Sequence, residues 1–283
     1  MISVIVPTYN GATKIPNLLL SLATQTNLHF EVVVVVDGST DNTVAVIESL
    51  KGQLPFSIQV IIQANSGRGG VRNVGVAHAT YPLVLFLDDD IRLTHTIIEQ
   101  HLKHHNTYPK SILTGSTLED PNKCITDFHR YRRYLTDKWM APFQDEHPCL
   151  TNNKQLFLSA AHCSLLKTDF HQIGGFNASL TDGEDAEFAK RAAQLNLPIY
   201  VDMNCIAFHD DYPTCGTFIQ RQKAYAQAAA TFRKKSIVFY VGQFQCWIYL
   251  IDHTPIFRIF PKKWRYRMYD VVVQAHIQSS ITR

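Results

Sequence analysis

The sequence predicts an α/β fold, a doubly wound and mostly parallel sheet with helices on both faces. Runs rich in β-branched residues alternate with amphipathic stretches over residues 1–95, the pattern of repeated βαβ units. The second run, Phe30–Val36, is almost continuous valine, as expected of a strand covered on both faces. Several runs end in polar or acidic residues, and in a parallel sheet such ends open on one edge, where open α/β folds take their ligands.

Ser3–Val6 is a short strand closed by Pro7, and Thr8-Tyr9-Asn10-Gly11 forms the loop at its carboxyl end. Ile15, Leu18, Leu19 and Leu22 recur at helical spacing. Asp37-Gly38-Ser39-Thr40-Asp41 is a turn able to cap a helix over Thr43–Leu50. Asp37 alone reads as a turn or capping residue; beside the other strand ends it reads as a partner for a bound base or ribose. Ile58–Ile62 is a third strand, Asn65–Gly70 a flexible loop, Val71–Ala79 a helix and Leu83–Leu87 a buried fourth strand. Gly67, Gly69 and Gly70 lack the spacing of a dinucleotide fingerprint, and no Lys-Ser/Thr follows, so a P-loop is not indicated either.

The fourth strand runs straight into Asp88-Asp89-Asp90. Adjacent carboxylates repel one another, and hard divalent cations such as Mg²⁺ or Mn²⁺ are their natural neutraliser. The alternative is that they start a turn and cap the next helix.

Hydrophobic residues make up 46% of the chain and charged residues 18%, enough apolar material for a sizeable core and against global disorder. The net charge of +3 is too mild to point to nucleic acid. Cys124, Cys149, Cys163, Cys205, Cys215 and Cys246 form no CxxC pair. The start, Met1-Ile2-Ser3-Val4, lacks a basic leader, so reduced thiols and a cytoplasmic setting are expected.

In the second half, Thr94–His105 reads as a helix with His95, His101, His104 and His105. His101 and His105 lie one turn apart and could bind zinc, but nothing nearby completes a motif, so a solvated face is expected. Residues 107–153 read as irregular, with Phe128, Tyr131, Tyr134, Trp139 and Phe143 among Arg130, Arg132 and Arg133. That mixture suits a sugar or anionic acceptor, or, as the preferred reading, a helix packed by its aromatics with a basic outer face. Leu156–Lys167 reads as a strand pair or one long strand, with small residues Ser159, Ala160 and Ala161 before His162. Gly183 opens a helix towards Leu195, and Glu184 and Asp185 sit in its first turn, where the helix dipole favours an ionised carboxylate. His209 follows a short strand, Ile199–Asp202, and an apolar run; it is read as a Mn²⁺ ligand or a buried structural histidine. Cys215–Lys235 reads as a helix, Ile237–Ile251 as apolar and aromatic, and Lys262–Arg267 as basic and aromatic. Such a tail suits a helical cap, with a membrane interface or a homodimer surface as alternatives.

Four stretches in order, Val4–Asn10, Val35–Asp41, Asn65–Gly75 with its Arg72-Asn73 pair, and Phe86–Asp90, resemble the N-terminal half of family 2 glycosyltransferases with the GT-A fold. The resemblance is strong over residues 1–95 and partial over 155–210. It implies a Rossmann-like nucleotide-sugar-binding half at 1–95, an acceptor-binding half at 96–212 and a helical extension at 213–283. It implies an inverting, metal-dependent transfer from a nucleotide-diphosphate sugar, UDP-sugar by default, to a hydroxyl of a carbohydrate or lipid-linked sugar, as in polysaccharide biosynthesis. The positions matching Pro7, Thr8, Tyr9, Asn10 and Asp37 would hold the base, with Arg68, Arg72 and Asn73 near the nucleotide. Asp88 and Asp89 would reach the ribose and the metal, and Asp90 would bind the metal, Mn²⁺ or Mg²⁺, with His209. Gly174-Gly175-Phe176 resembles the acceptor-side turn, with His162 beside it, and the Glu184-Asp185 pair resembles the motif whose Asp is the general base. Many members carry paired acids where Val36-Asp37 stands, so one base or ribose contact differs here. The rival readings are a sugar nucleotidyltransferase and a non-catalytic nucleotide- or carbohydrate-binding protein. The first strand–helix turn carries only Lys14 as a nearby base, which disfavours the former; Asp90 together with Asp185 disfavours the latter.

Overall fold

The computed structural model describes residues 1–152, 155–232 and 260–281. Strands β1 (Ile2–Thr8), β2 (Phe30–Asp37), β3 (Ser57–Gln63) and β4 (Leu83–Leu87) alternate with helices α1 (Ile15–Ala23), α2 (Thr43–Lys51) and α3 (Gly67–His78). These four strands are parallel and lie in the order β3-β2-β1-β4. The valine run alternates as the pleat demands. Val32, Val34 and Val36 pack on one face with Leu18, Leu22 and Ile47, while Val33 and Val35 pack on the other with Val71 and Val76. Both faces are therefore apolar, and the strand needs no polar side.

Beyond β4 the sheet turns antiparallel. β8 (His162–Leu166) pairs β4, with Leu87 opposite His162, and β6 (Ile112–Glu119) pairs β8. β9 (Ile199–His209) pairs both β5 (Ile91–Leu93) and β7 (Cys149–Leu150). Three helices accompany it, α4 (Ile97–Thr107), α6 (Lys167–Ile173) and α7 (Glu184–Gln194), while α5 (Asp127–Met140) lies mostly in the second unit described below.

Four expectations need correction. The glycines after Asn65 are not a loop: α3 begins at Gly67, whose φ of +76° starts the helix. A Cβ at Gly69 would stand 2.9 Å from the Asn177 carbonyl oxygen, so glycine there admits that neighbouring backbone. Leu156–Lys167 is not one long strand, because its partner β4 stops at Leu87; only the Asp88 amide continues the ladder, donating to Ala161 O at 3.1 Å. The strand at Ile199 runs eleven residues and carries His209 at its end. The histidines of α4 are not a solvated face: His101 is fully buried and His104 and His105 nearly so, packed on the sheet below.

The chain divides into two compact units, residues 1–118 with 139–211, and residues 119–138 with 212–283. In the second, α8 (Cys215–Phe232), α9 (Lys262–Ile281) and the start of α5 share a core of Phe128, Tyr131, Phe218, Tyr266 and Tyr269. Tyr131 Oη donates to Asp270 at 2.6 Å, and Arg132 pairs with Glu119 at 3.3 Å. The stretch 107–153 is thus not irregular: it holds β6 and α5, and Phe128 and Tyr131 of α5 are packed while Tyr134 and Trp139 stay exposed. The apolar stretch Ile237–Ile251 and Cys246 lie outside the described residues. Among the described residues no helix is long and apolar enough to cross a membrane.

Candidate active site

β1 and β4 are neighbours on which the chain leaves in opposite directions across the sheet, so their carboxyl ends flank the switch-point crevice. After β1, Asn10 adopts φ +49°, a left-handed conformation asparagine tolerates. Its amide donates to Ser39 Oγ at 2.9 Å and its Oδ1 accepts from the Thr40 amide at 2.8 Å, locking the loops after β1 and β2 together. Tyr9 projects from this loop, 54% exposed, free to stack on a planar ligand. Gly11 is required here, because a Cβ would overlap Thr8 Oγ1 and Asp89 Oδ2, which are hydrogen-bonded at 2.6 Å.

Asp37 ends β2, nearly buried. Its Oδ1 accepts from the Ser66 amide at 2.8 Å and Gln63 Nε2 at 2.7 Å, and its Oδ2 from the Gly67 amide at 3.1 Å. It caps α3, not α2; Asp41 serves α2, accepting from the Thr43 amide at 3.1 Å.

The carboxylates after β4 meet different surroundings. Arg72 is buried on α3 and forks between two acids: Nη2 lies 2.5 Å from Asp88 Oδ1 and Nη1 lies 3.0 Å from Glu184 Oε1. Burial pushes Asp88 up, but Arg72, with His209 and Arg68, outweighs it and holds Asp88 below the ordinary carboxylate range. Asp89 is pushed up to about 7 by burial, against its Thr8 hydrogen bond and with the charges of Asp90 and Asp88 adding to the rise. Asp90 is also raised, by burial first, while His209 opposes the rise. Asp90 Oδ1 and His209 Nδ1 stand 3.7 Å apart, too far for a hydrogen bond, and both are buried with no hydrogen-bond partner among the described residues. The backbone brings the two together: Ile91 pairs with His209 across β5 and β9, and the Asp210 amide donates to Asp90 O at 2.8 Å.

Opposite these acids, α7 starts with Glu184 and Asp185. Glu184 is committed to Arg72, whereas Asp185 is half-buried and its Oδ1 accepts from the Ala186 amide at 2.7 Å. Burial raises the Asp185 carboxyl to about 6, and the charge of Glu184 adds to it. The acid-lowering effect expected of a helix start is overcome by desolvation.

The turn Gly174-Gly175-Phe176 has positive φ at both glycines, +93° and +68°. Asn73 clamps it: Nδ2 donates to Phe176 O and Oδ1 accepts from the Phe176 amide, both at 2.8 Å. Both ends of the Asn73 amide are thereby used on this turn. Arg191, paired with Glu187 at 2.6 Å, adds a 2.7 Å bond to Gly175 O. Sequence reasoning missed Glu187 and Arg191 as supports, although their i,i+4 spacing was visible. Arg68 pairs with Asp182 at 3.2 Å. The structure does not bring His162 to the surface of the site: its ring is fully buried beneath the sheet, 3.0 Å from His101, so contact with an acceptor is not its position.

The same fold occurs in solved glycosyltransferases of the GT-A class. Residues 1–349 of TarS from S. aureus in complex with UDP superpose with a TM-score of 0.57 at 24% identity, covering 80% of this chain and 64% of that one. The mannosyltransferase PcManGT from Pyrobaculum calidifontis, in complex with GDP-Man and Mn²⁺, gives 0.62 at 17% identity over 97% of this chain and 74% of that one. The profile of glycosyl transferase family 2 matches residues 3–174, and the chain belongs to that family. Validoxylamine A glucosyltransferase of Streptomyces hygroscopicus subsp. jinggangensis (strain 5008) is 30% identical over 229 residues, 71% of this chain. The chain spans only 53% of that relative's length.

Proposed function

We propose that this chain transfers a sugar from a nucleotide-diphosphate donor to a carbohydrate hydroxyl with inversion at the transferred carbon. The observation that carries the reading is the fork of Arg72 between Asp88 on the strand edge and Glu184 at the start of α7, next to which stands the half-buried Asp185 with its carboxyl raised to about 6. In this reading Tyr9 stacks on the base, and the loop held by Asn10 and Asp37 shapes its pocket. A UDP-sugar is the favoured donor, since TarS was solved with UDP bound and with UDP-GlcNAc; a GDP-sugar, as bound by PcManGT, is the next arm of the test.

A divalent cation fits the residues present. Asp90 Oδ1 and His209 Nδ1 are buried, mutually close and otherwise unpartnered among the described residues, and carboxylate with imidazole is a donor set for Mn²⁺. Asp90 and His209 would hold it, with Asp88 alongside, and it would offset charge developing on the leaving diphosphate. Asp185 takes the proton from the acceptor hydroxyl as that oxygen attacks the sugar carbon. Arg72 holds Glu184 in place beside it, and the Asn73-clamped turn carrying Phe176 gives the acceptor a fixed wall.

The test is incubation with UDP-, GDP- and dTDP-sugars plus Mn²⁺ and a panel of carbohydrate acceptors. Nucleotide release that depends on acceptor is expected, with an inverted anomeric configuration by NMR. No release with any donor, or retained configuration, would overturn the proposal.

A further inference from the structure

On the face of the sheet covered by α4, three side chains that the transfer does not use converge. His101 comes from α4, His162 from the start of β8 and Cys205 from the middle of β9, and all three are fully buried. His101 Nε2 lies 3.0 Å from His162 Nε2, and Cys205 Sγ lies 3.5 Å and 3.8 Å from those same two atoms. Zinc bonds imidazole at about 2.0–2.1 Å and thiolate at about 2.3 Å, so a tetrahedron has N–N edges of roughly 3.3 Å and N–S edges of roughly 3.6 Å. The observed triangle matches one face of that tetrahedron to within a few tenths of an ångström.

The surroundings prepare the ligands. Ser164 Oγ lies 2.7 Å from His101 Nδ1 and 2.8 Å from His105 Nε2. Accepting from His101 Nδ1–H and donating to His105, it leaves the His101 Nε2 lone pair facing the cluster, the tautomer a metal requires. Gly115 on β6 makes room, since a Cβ there would overlap the His162 ring. Burial holds His101 well below its usual range and His162 down at about 4, so both rings are neutral donors at physiological pH. The same burial raises the Cys205 thiol, so ion binding would replace the Sγ–H bond by a sulfur–metal bond and release one proton to solvent.

We propose that His101, His162 and Cys205 form a three-ligand zinc site, separate from the one proposed at Asp90 and His209, that ties α4, β8 and β9 together. Its place in the fold gives it a consequence for the edge above. His162 pairs with Leu87, the residue before Asp88, and Cys205 lies four residues before His209 on the same strand. The proposal stands whether or not the chain transfers sugar.

Cobalt is the probe. The full chain, reduced and stripped with a chelator, is titrated with Co²⁺ both as the folded protein and during refolding from denaturant, because the cluster is buried. A thiolate-to-cobalt charge-transfer band is expected to saturate at one equivalent and to be bleached by one equivalent of Zn²⁺, a reading that needs no variant. The band should be lost in Cys205→Ser. It should persist in Cys163→Ser, whose thiol packs on the opposite face of β8, and in Asp90→Ala. Absence of the band in both wild-type titrations, or its survival in Cys205→Ser, would overturn the site and leave a buried His–His hydrogen bond with a packed thiol.

Discussion

Replacing Asp185 by asparagine tests catalysis separately from donor binding. The substitution keeps the size of the side chain and its acceptor for the Ala186 amide, but it cannot take a proton at neutral pH. A positioned general base contributes about 10²–10⁴ in rate, so turnover at saturating donor and acceptor should fall by that factor while the dissociation constant of the free nucleotide is unchanged. The wild-type pH profile follows from the carboxyl raised to about 6 by burial and by Glu184. A base must be ionised: about nine in ten molecules are competent at pH 7 and about one in ten at pH 5, so the rate falls roughly tenfold per unit below pH 6. Glu184→Gln removes the negative neighbour that raises Asp185, so its acid limb should shift to lower pH with turnover at pH 7 reduced less. The assay is acceptor-dependent nucleotide release from pH 4.5 to 8.5 for the wild type and both variants. Near wild-type turnover in Asp185→Asn with loss in Glu184→Gln would move the base to Glu184 and refute the assignment.

His209→Ala should raise the Mn²⁺ concentration for half-maximal activity and be partly rescued by excess Mn²⁺, whereas Asp90→Ala should abolish the metal response; both are read from activity against metal concentration. Asp89 holds its proton to about pH 7 when folded but releases it near 4 when unfolded, so the stability it contributes is present at low pH and lost as pH rises through that window. Asp89→Asn, which still accepts from Thr8, should therefore raise the Tm of metal-free protein at pH 8 and leave it little changed at pH 4. Asp37→Ala strips the Ser66 and Gly67 amides of their acceptor and should cost about 1–3 kcal/mol of stability, measured by denaturant unfolding, with nucleotide titration separating this from any loss of base binding. Asn73→Ala should raise the acceptor KM more than the donor Kd, because both ends of its amide hold the Phe176 turn.

The sequence by itself determined the parallel half of the sheet and the edge on which its loops open. The reason is local: a valine run buried on both faces suits a covered parallel sheet, and strand ends are punctuated by Gly38 and the Asp88–Asp90 run, although β1 continues through Pro7 to Thr8, one residue past the stop expected there. The start of α7 was equally legible from Gly183 and the acids that follow it. Long-range pairing was not. The strands β5, β6 and β7 are short or mixed in composition and gain their identity from partners far along the chain. Only the tertiary structure decided that Asp37 serves α3, that Arg72 reaches both Asp88 and, 112 positions on, Glu184, and that Asn73 holds Phe176. The α4 histidines were misjudged for the same physical reason. Periodicity locates a helical face, but whether a polar face meets water or a buried partner depends on what the sheet places opposite, and here Ser164, His162 and Cys205 arrive from two distant strands.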